Sequence, residues 1–312
     1  MIFGCGFLGE AIARSLAGRG CSVWGVSRNR EDLGSLQDVP GFYPVCADLP
    51  GGEWERELPQ TVDAAVYCAG AERASDAAYR SVYISAQRRV LAWCERTRVR
   101  RFVFTGSAAV YPHSDGRWVE EPDADRAGAS PAGRILLEAE ALAAPLLHSG
   151  ALASAFVLRL AGLYGPGRHL YLDRLRSGDC RFAGSPESWL NLIHRDDAAA
   201  ALLRCLDASG ISGHFVYNVS DGNPATRGEI IHWLAERVAA PAPVFERGGE
   251  GARSALRRGA LASAPPNRRI AIGRIRQELD WRPRYPGYRH GYAAILAGMG
   301  VGSEHAPEQE DD

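Results

Sequence analysis

Apolar and polar positions in the first half of the chain alternate between two periods. Ile2 and Phe3 form a short apolar run that leads into Gly4-Cys5-Gly6-Phe7-Leu8-Gly9. From there Leu8, Ile12 and Leu16 recur every four residues, the stripe of a helix over 8–19. Ser22 to Ser27 and Tyr43 to Ala47 read as strands, as does Ala64 to Cys68 ahead of Ala69-Gly70. A helical pattern over 76–97 follows, then a strand from Arg101 to Thr105 and a loop rich in Asp, Gly and Pro. A helical stretch over 133–147 and a strand from Ala155 to Leu160 complete the series. Strands that alternate with helices predict βαβ units, and so a parallel sheet covered on both faces.

The pattern loosens beyond about residue 165, where elements shorten and Gly and Pro become frequent. A helix over 196–208 and a strand over 214–219 are expected to return to the main sheet. Residues 239–266, rich in Gly, Ala, Pro and Arg, read as a long loop. The tail from Gly302 is acidic and lacks apolar anchors, so 302–312 is expected to be disordered. The organisation expected is a nucleotide-type domain over 1–165, with 191–220 returning to it, and a mainly substrate-binding region over 166–297.

The glycine turn supplies the first chemistry. G-x-G-x-x-G gains meaning when it follows a strand and opens a helix, as the pattern here predicts. Gly4 allows the tight turn, Gly6 lets the backbone approach a pyrophosphate, and Gly9 lets the helix pack on the strand. Phe7 and Leu8 open the helix, whose free N–H groups favour phosphate. The fold class expected is therefore α/β, a Rossmann-type doubly wound parallel sheet with a smaller C-terminal substrate-binding region. Only Met1, Ile2 and Phe3 precede Gly4, so either the first strand begins upstream or this edge of the nucleotide site is short of support.

Cofactor choice is read after the second strand. An acid about 20 residues beyond the turn would bind a ribose 2′-hydroxyl. The chain has Ser27-Arg28-Asn29-Arg30 there, and the Arg28 guanidinium suits a 2′-phosphate. NADP is expected, with NAD as the alternative. Asp48 and Leu49, after the third strand, are expected at the adenine, and Gly70, after the fourth, beside the cofactor.

Composition excludes several classes. The chain has 312 residues with a formal net charge of -1, so no bulk charge points to nucleic acid or an anionic membrane. No apolar run reaches the roughly 18 residues that span a bilayer, and no basic segment with an apolar run marks a secretory signal. A cytoplasmic protein is expected. The cysteines number 7, an odd count without a C-x-x-C pair, and read as free thiols with no metal site. All 36 basic residues are arginine, so no step here can use a lysine amine.

Several strings together carry a resemblance: GCGFLG at 4–9, VYCAG at 66–70, FTGSAAVY at 104–111, GRILLEAE at 133–140, RLAGLYGPGR at 159–168 and NLIHRDD at 191–197. Over about residues 2–297 the chain resembles the extended short-chain dehydrogenase/reductases, the NAD(P)-dependent epimerase/dehydratase group that includes sugar-nucleotide epimerases. The resemblance implies that Ser107 polarises a substrate hydroxyl or carbonyl. It also implies a Tyr-Gly-x-Ser-Lys-x-x-x-Glu motif, whose tyrosine is the general acid/base and whose lysine lowers the phenol pKa. Ala132 stands at the tyrosine position and Leu136 at the lysine position, which resembles the atypical branch of the group. Tyr111, on the loop after Ser107, is the candidate replacement, and Arg159, Arg168 and Asn191 are candidates for substrate binding. An ion pair of Arg159 or Arg168 with Asp196 or Asp197 is the structural alternative.

Two functions remain open on these residues. One is an NADP(H)-dependent oxidoreductase or epimerase acting on a sugar nucleotide or similar polar metabolite. The other is a non-catalytic NAD(P)-binding sensor or interaction protein. A homodimer through the apolar stretch 133–147 (Ile135, Leu136, Leu137, Leu142, Leu146) is a further expectation, and a core-facing stripe explains the same residues.

Overall fold

The computed structural model describes residues 1–51, 53–72, 75–246 and 266–300. Seven strands make one sheet: β1 (Ile2–Phe3), β2 (Val23–Ser27), β3 (Phe42–Cys46), β4 (Ala64–Tyr67), β5 (Arg101–Ser107), β6 (Ser154–Leu160) and β7 (Gly213–Val219). Their order is β7-β6-β5-β4-β1-β2-β3, and every adjacent pair is parallel. The order reverses at β1, between β4 and β2, which is the switch point of a doubly wound Rossmann-type sheet. The strand expected at 214–219 is β7, at the sheet edge beyond β6. At the other edge, β3 carries Pro44, which a central strand would not tolerate.

β1 is short but well held. Ile2 and Phe3 are fully buried and pair with Gly25 and Val26 on one side and Val66 and Tyr67 on the other. Ladder bonds continue past both ends, from Val66 N to Met1 O at 2.9 Å and from Gly4 N to Val26 O at 2.9 Å. Helix α1 (Phe7–Gly18) buries Leu8, Gly9, Ile12 and Ala13 against one face of the sheet. The short helix α2 (Arg30–Gly34) follows β2 and is capped by Asn29. The long helix expected over 76–97 is interrupted: Asp76–Tyr79 runs into a π-helical turn, Arg80–Ala86, before α3 (Gln87–Arg96). The Tyr67 hydroxyl donates to Val82 O at 2.5 Å, a carbonyl of that turn.

The stretch expected as one helix over 133–147 is two: α4 (Pro131–Glu140) and Ala144–His148, which Pro145 opens in its first turn. Ile135 and Leu136 are buried, and Leu142 and Leu146 pack on the same core as β4 and β5. The core-facing reading of that stripe therefore accounts for most of it. Helix α5 (Arg195–Asp207) packs against α1. Beyond it a smaller cluster forms around Tyr164, Phe182, Ile231 and Tyr292. Within the region expected as a loop, 239–266, Val244–Glu246 form a strand paired with Arg181–Ala183. The rest of that loop, 247–265, and the acidic tail lie outside the described residues.

Candidate functional site

The glycine turn is constrained where the sequence places it. Gly4 has φ +93°, and a Cβ there would stand 2.3 Å from Ala69 N. A Cβ at Gly9 would stand 2.7 Å from Gly4 O, so the third glycine sets the approach of helix to strand. Gly6 precedes the first turn of α1. This is a cradle that side chains would fill, and it fits a dinucleotide phosphate.

A cleft of about 340 Å³ opens at the carboxyl ends of β1, β2, β4 and β5. Gly4, Gly6, Phe7, Leu8, Arg28, Asp48, Leu49, Gly70 and Arg168 all line it, whereas Gly9 packs behind. Arg28 is ion-paired with Glu72, and both line the cleft. Arg168 and Arg195 stack on the Phe7 ring, with guanidinium carbons 5.6 Å and 5.2 Å from its centroid. A turn bridged between Gly165 and Arg168 brings the first of them there.

The structure also brings in residues that the sequence reading missed. Asp32, in the first turn of α2, lines the cleft and accepts a hydrogen bond from Ser27 Oγ at 3.1 Å. Its Oδ2 lies 3.4 Å from a Cβ position at Gly6. The reading of no acid after β2 holds at Arg28 but not for the cleft, because the first turn of α2 folds back over the glycine turn. Cys68 lines the floor and donates to Gly4 O at 3.1 Å, and burial pushes its thiol pKa up. Thr105 lines the inner end beside Leu160 and Leu163.

Three expected site residues have their polar groups bonded within the fold. Tyr111 is buried, and its hydroxyl donates to Asn218 Oδ1 at 2.7 Å while accepting from Arg159 Nη1 at 2.9 Å. Burial pushes the phenol pKa up to about 12 against the opposing pull of Arg159. Arg159 is likewise buried and faces Glu140, with Nε to Oε1 at 2.9 Å and Nη2 to Oε2 at 2.8 Å. Burial opposes its charge, and the Glu140 carboxylate holds its pKa up nonetheless. Its ion-pair partner within the fold is Glu140, and neither Asp196 nor Asp197. Asn191 spends its amide on the chain, donating to Arg268 O at 2.8 Å and accepting from Ile270 N at 2.7 Å.

Ser107 is half-buried at the end of β5, and its Oγ accepts from Ala109 N at 3.2 Å. Ala132 and Leu136 lie on α4. Leu136 is buried with Ala108, Val110, Tyr111, Val119 and Ile270, and Tyr79 and Tyr83 pack against that cluster. This turn of α4 thus packs into a mainly apolar cluster. Tyr164 is fully buried and stacked on Tyr292, with no hydrogen-bond partner for its hydroxyl. Among the described residues no helix is long and apolar enough to cross a membrane.

Similarity to known proteins agrees with this geometry. The chain is 27% identical over 289 residues to Protein YeeZ of Escherichia coli (strain K12), covering 91% of this chain and 95% of that one. It is 28% identical over 256 residues to the 2-alkyl-3-oxoalkanoate reductase of Stenotrophomonas maltophilia (strain K279a), covering 76% and 74% respectively. Its fold is similar to that of MoeE5 solved with UDP-glucuronic acid and NAD, at a TM-score of 0.79 and 23% identity over 96% of this chain and 98% of that one. The profile of the NAD dependent epimerase/dehydratase family matches residues 1–220, the whole seven-stranded sheet, and the chain belongs to that family.

Proposed function

We propose that this chain is an NADP(H)-dependent oxidoreductase or epimerase-type enzyme acting on a sugar nucleotide or similar polar metabolite. The observation that carries this reading is the shared cleft, in which the glycine turn and Arg28 stand together with no carboxylate at the Arg28 position. The turn would hold the pyrophosphate, Arg28 would pair a 2′-phosphate, and Asp48 with Leu49 would meet the adenine. NAD is the alternative cofactor. It is supported by Asp32, a carboxylate in the cleft able to accept from a 2′-hydroxyl, and by NAD in the fold relative MoeE5. When bound, the nicotinamide supplies the hydride donor or acceptor. Ser107 would polarise the substrate oxygen, and water would carry the proton that Ala132 cannot. Arg168, on the Phe7 ring, would meet a phosphate of substrate or cofactor.

Thermal shift with NADP⁺ and NAD⁺ tests the cofactor, since a ligand at 100 times its Kd adds about 2.7 kcal/mol to stability. Cofactor redox change across a panel of sugar nucleotides then tests the reaction. A protein that binds NADPH and turns over nothing on that panel is not this enzyme. A second reading, a non-catalytic NAD(P)-binding sensor, is favoured by one specific observation. Ala132 and the buried Leu136 offer no acid/base group at the two positions matched to the family's pair, and the nearby Tyr111 hydroxyl is bonded within the fold. That reading requires a partner whose binding changes with dinucleotide. Pull-downs that are identical with and without NADPH remove it.

A further inference from the structure

We infer that Glu72 is an internal competitor for the 2′-phosphate of the cofactor, an anionic strap held over Arg28 at one end of the cleft. The inference rests on the NADP(H) reading above and adds to it a residue that limits its selectivity.

Arg28 follows β2 and Glu72 follows β4, yet the two strands are not neighbours. β1 lies between them and pairs with both. Two inter-strand spacings, about 10 Å in all, separate β2 from β4. Arg28 Nη2 and Glu72 Oε1 nevertheless form an ion pair, so the two side chains meet across the carboxyl end of β1, beside the glycine turn. A dinucleotide held on that turn has to share this space with the pair.

The charges make the competition specific. A carboxylate and a phosphate both offer anionic oxygens to a guanidinium fork, so a 2′-phosphate that takes the fork with two bonds competes with Glu72 for it. A cofactor with a 2′-hydroxyl brings no anion to Arg28 and gains nothing from freeing it. The pair is also weak enough to be displaced. Side-chain exposure is 48% for Arg28 and 72% for Glu72, and exposed ion pairs are worth little and are screened by salt. Glu72 thus narrows the preference for NADP(H) over NAD(H) without abolishing it.

The test is calorimetric titration of the full chain with NADP⁺, NAD⁺ and 2′,5′-ADP at low salt. It compares the native protein with Glu72→Gln, Arg28→Met and the double variant. Glu72→Gln is expected to tighten NADP⁺ and 2′,5′-ADP by about 2- to 5-fold, the worth of an exposed ion pair, with NAD⁺ unchanged. The gain is expected to shrink as salt rises. Arg28→Met is expected to weaken NADP⁺ by about 10- to 100-fold, the worth of a charge-assisted contact, and adding Glu72→Gln to it should change nothing further. If Glu72→Gln leaves NADP⁺ unchanged or weakens it while Arg28→Met still weakens it, the strap is overturned and the 2′-phosphate reading stands. If Arg28→Met leaves NADP⁺ unchanged, or the native protein binds neither dinucleotide, the NADP(H) reading falls and the strap with it. Glu72 is exposed, and an unshifted melting temperature for Glu72→Gln verifies that the variant is folded.

Discussion

Replacing Glu140 by leucine removes the carboxylate that, among the described residues, pairs with the Arg159 guanidinium, and leaves a cation nearly sealed from water. Side-chain exposure is 6% for each partner, and two of the four hydrogen bonds of Arg159 end on that carboxylate. Breaking a buried pair from one side costs about 3–5 kcal/mol, a large share of the roughly 5–15 kcal/mol that holds a domain together. Arg159→Met leaves the opposite charge, and it also deprives the Tyr111 hydroxyl and Glu121 O of a donor. The double variant Glu140→Leu/Arg159→Met should regain most of the loss, remaining about 1–3 kcal/mol below the native protein for the orphaned polar atoms. Urea unfolding followed by tryptophan fluorescence reads all of this. Single-variant losses that simply add in the double would refute the buried-pair argument.

Two further outcomes follow from the same structure. Gly4→Ala forces a side chain into φ +93° and onto Ala69 backbone. It should destabilise the fold by about 2–5 kcal/mol from strain and overpacking, and a melting curve that NADP⁺ raises as much as it does for native protein would contradict the cradle. Asp221 is buried, and burial raises its carboxyl from 3.8 to about 7, with Asp197 adding to the shift. Between those values the folded state keeps a proton that the unfolded state releases, so stability falls as pH rises. Asp221→Asn should therefore gain on the native protein from pH 4 to pH 8, by up to about 4 kcal/mol. A difference that stays constant in urea midpoints over that range would rule this out.

The sheet was legible because its signals are local. Apolar runs such as Ala64 to Cys68 and Arg101 to Thr105 sit within a residue or two of β4 and β5, and the glycine spacing marks one turn. The cleft lining was legible where it follows a strand directly, as at Arg28, Asp48 and Gly70. What escaped depends on distant packing. Glu140 and Arg159 lie 19 positions apart on a helix and a strand, and nothing in either string marks them as partners. Asp32 reaches the cleft only because α2 turns back toward Gly6. The π-helical turn under Tyr67 leaves no trace in the apolar period of 76–97.

The apolar filling around Leu136 bears on how reversible this site is. On the proposed matching of Ala132 and Leu136 to the family's tyrosine and lysine, installing that pair takes Ala132→Tyr and Leu136→Lys, but an ammonium at 136 would enter the company of Val110, Val119 and Ile270. Stripped of water there, it would shed its proton and lose the charge for which it was installed. A charged lysine at 136 therefore needs its apolar neighbours trimmed as well, and trimming them leaves cavities that cost stability. On that matching, a proton donor placed elsewhere in the cleft disturbs this packing less than the usual pair would.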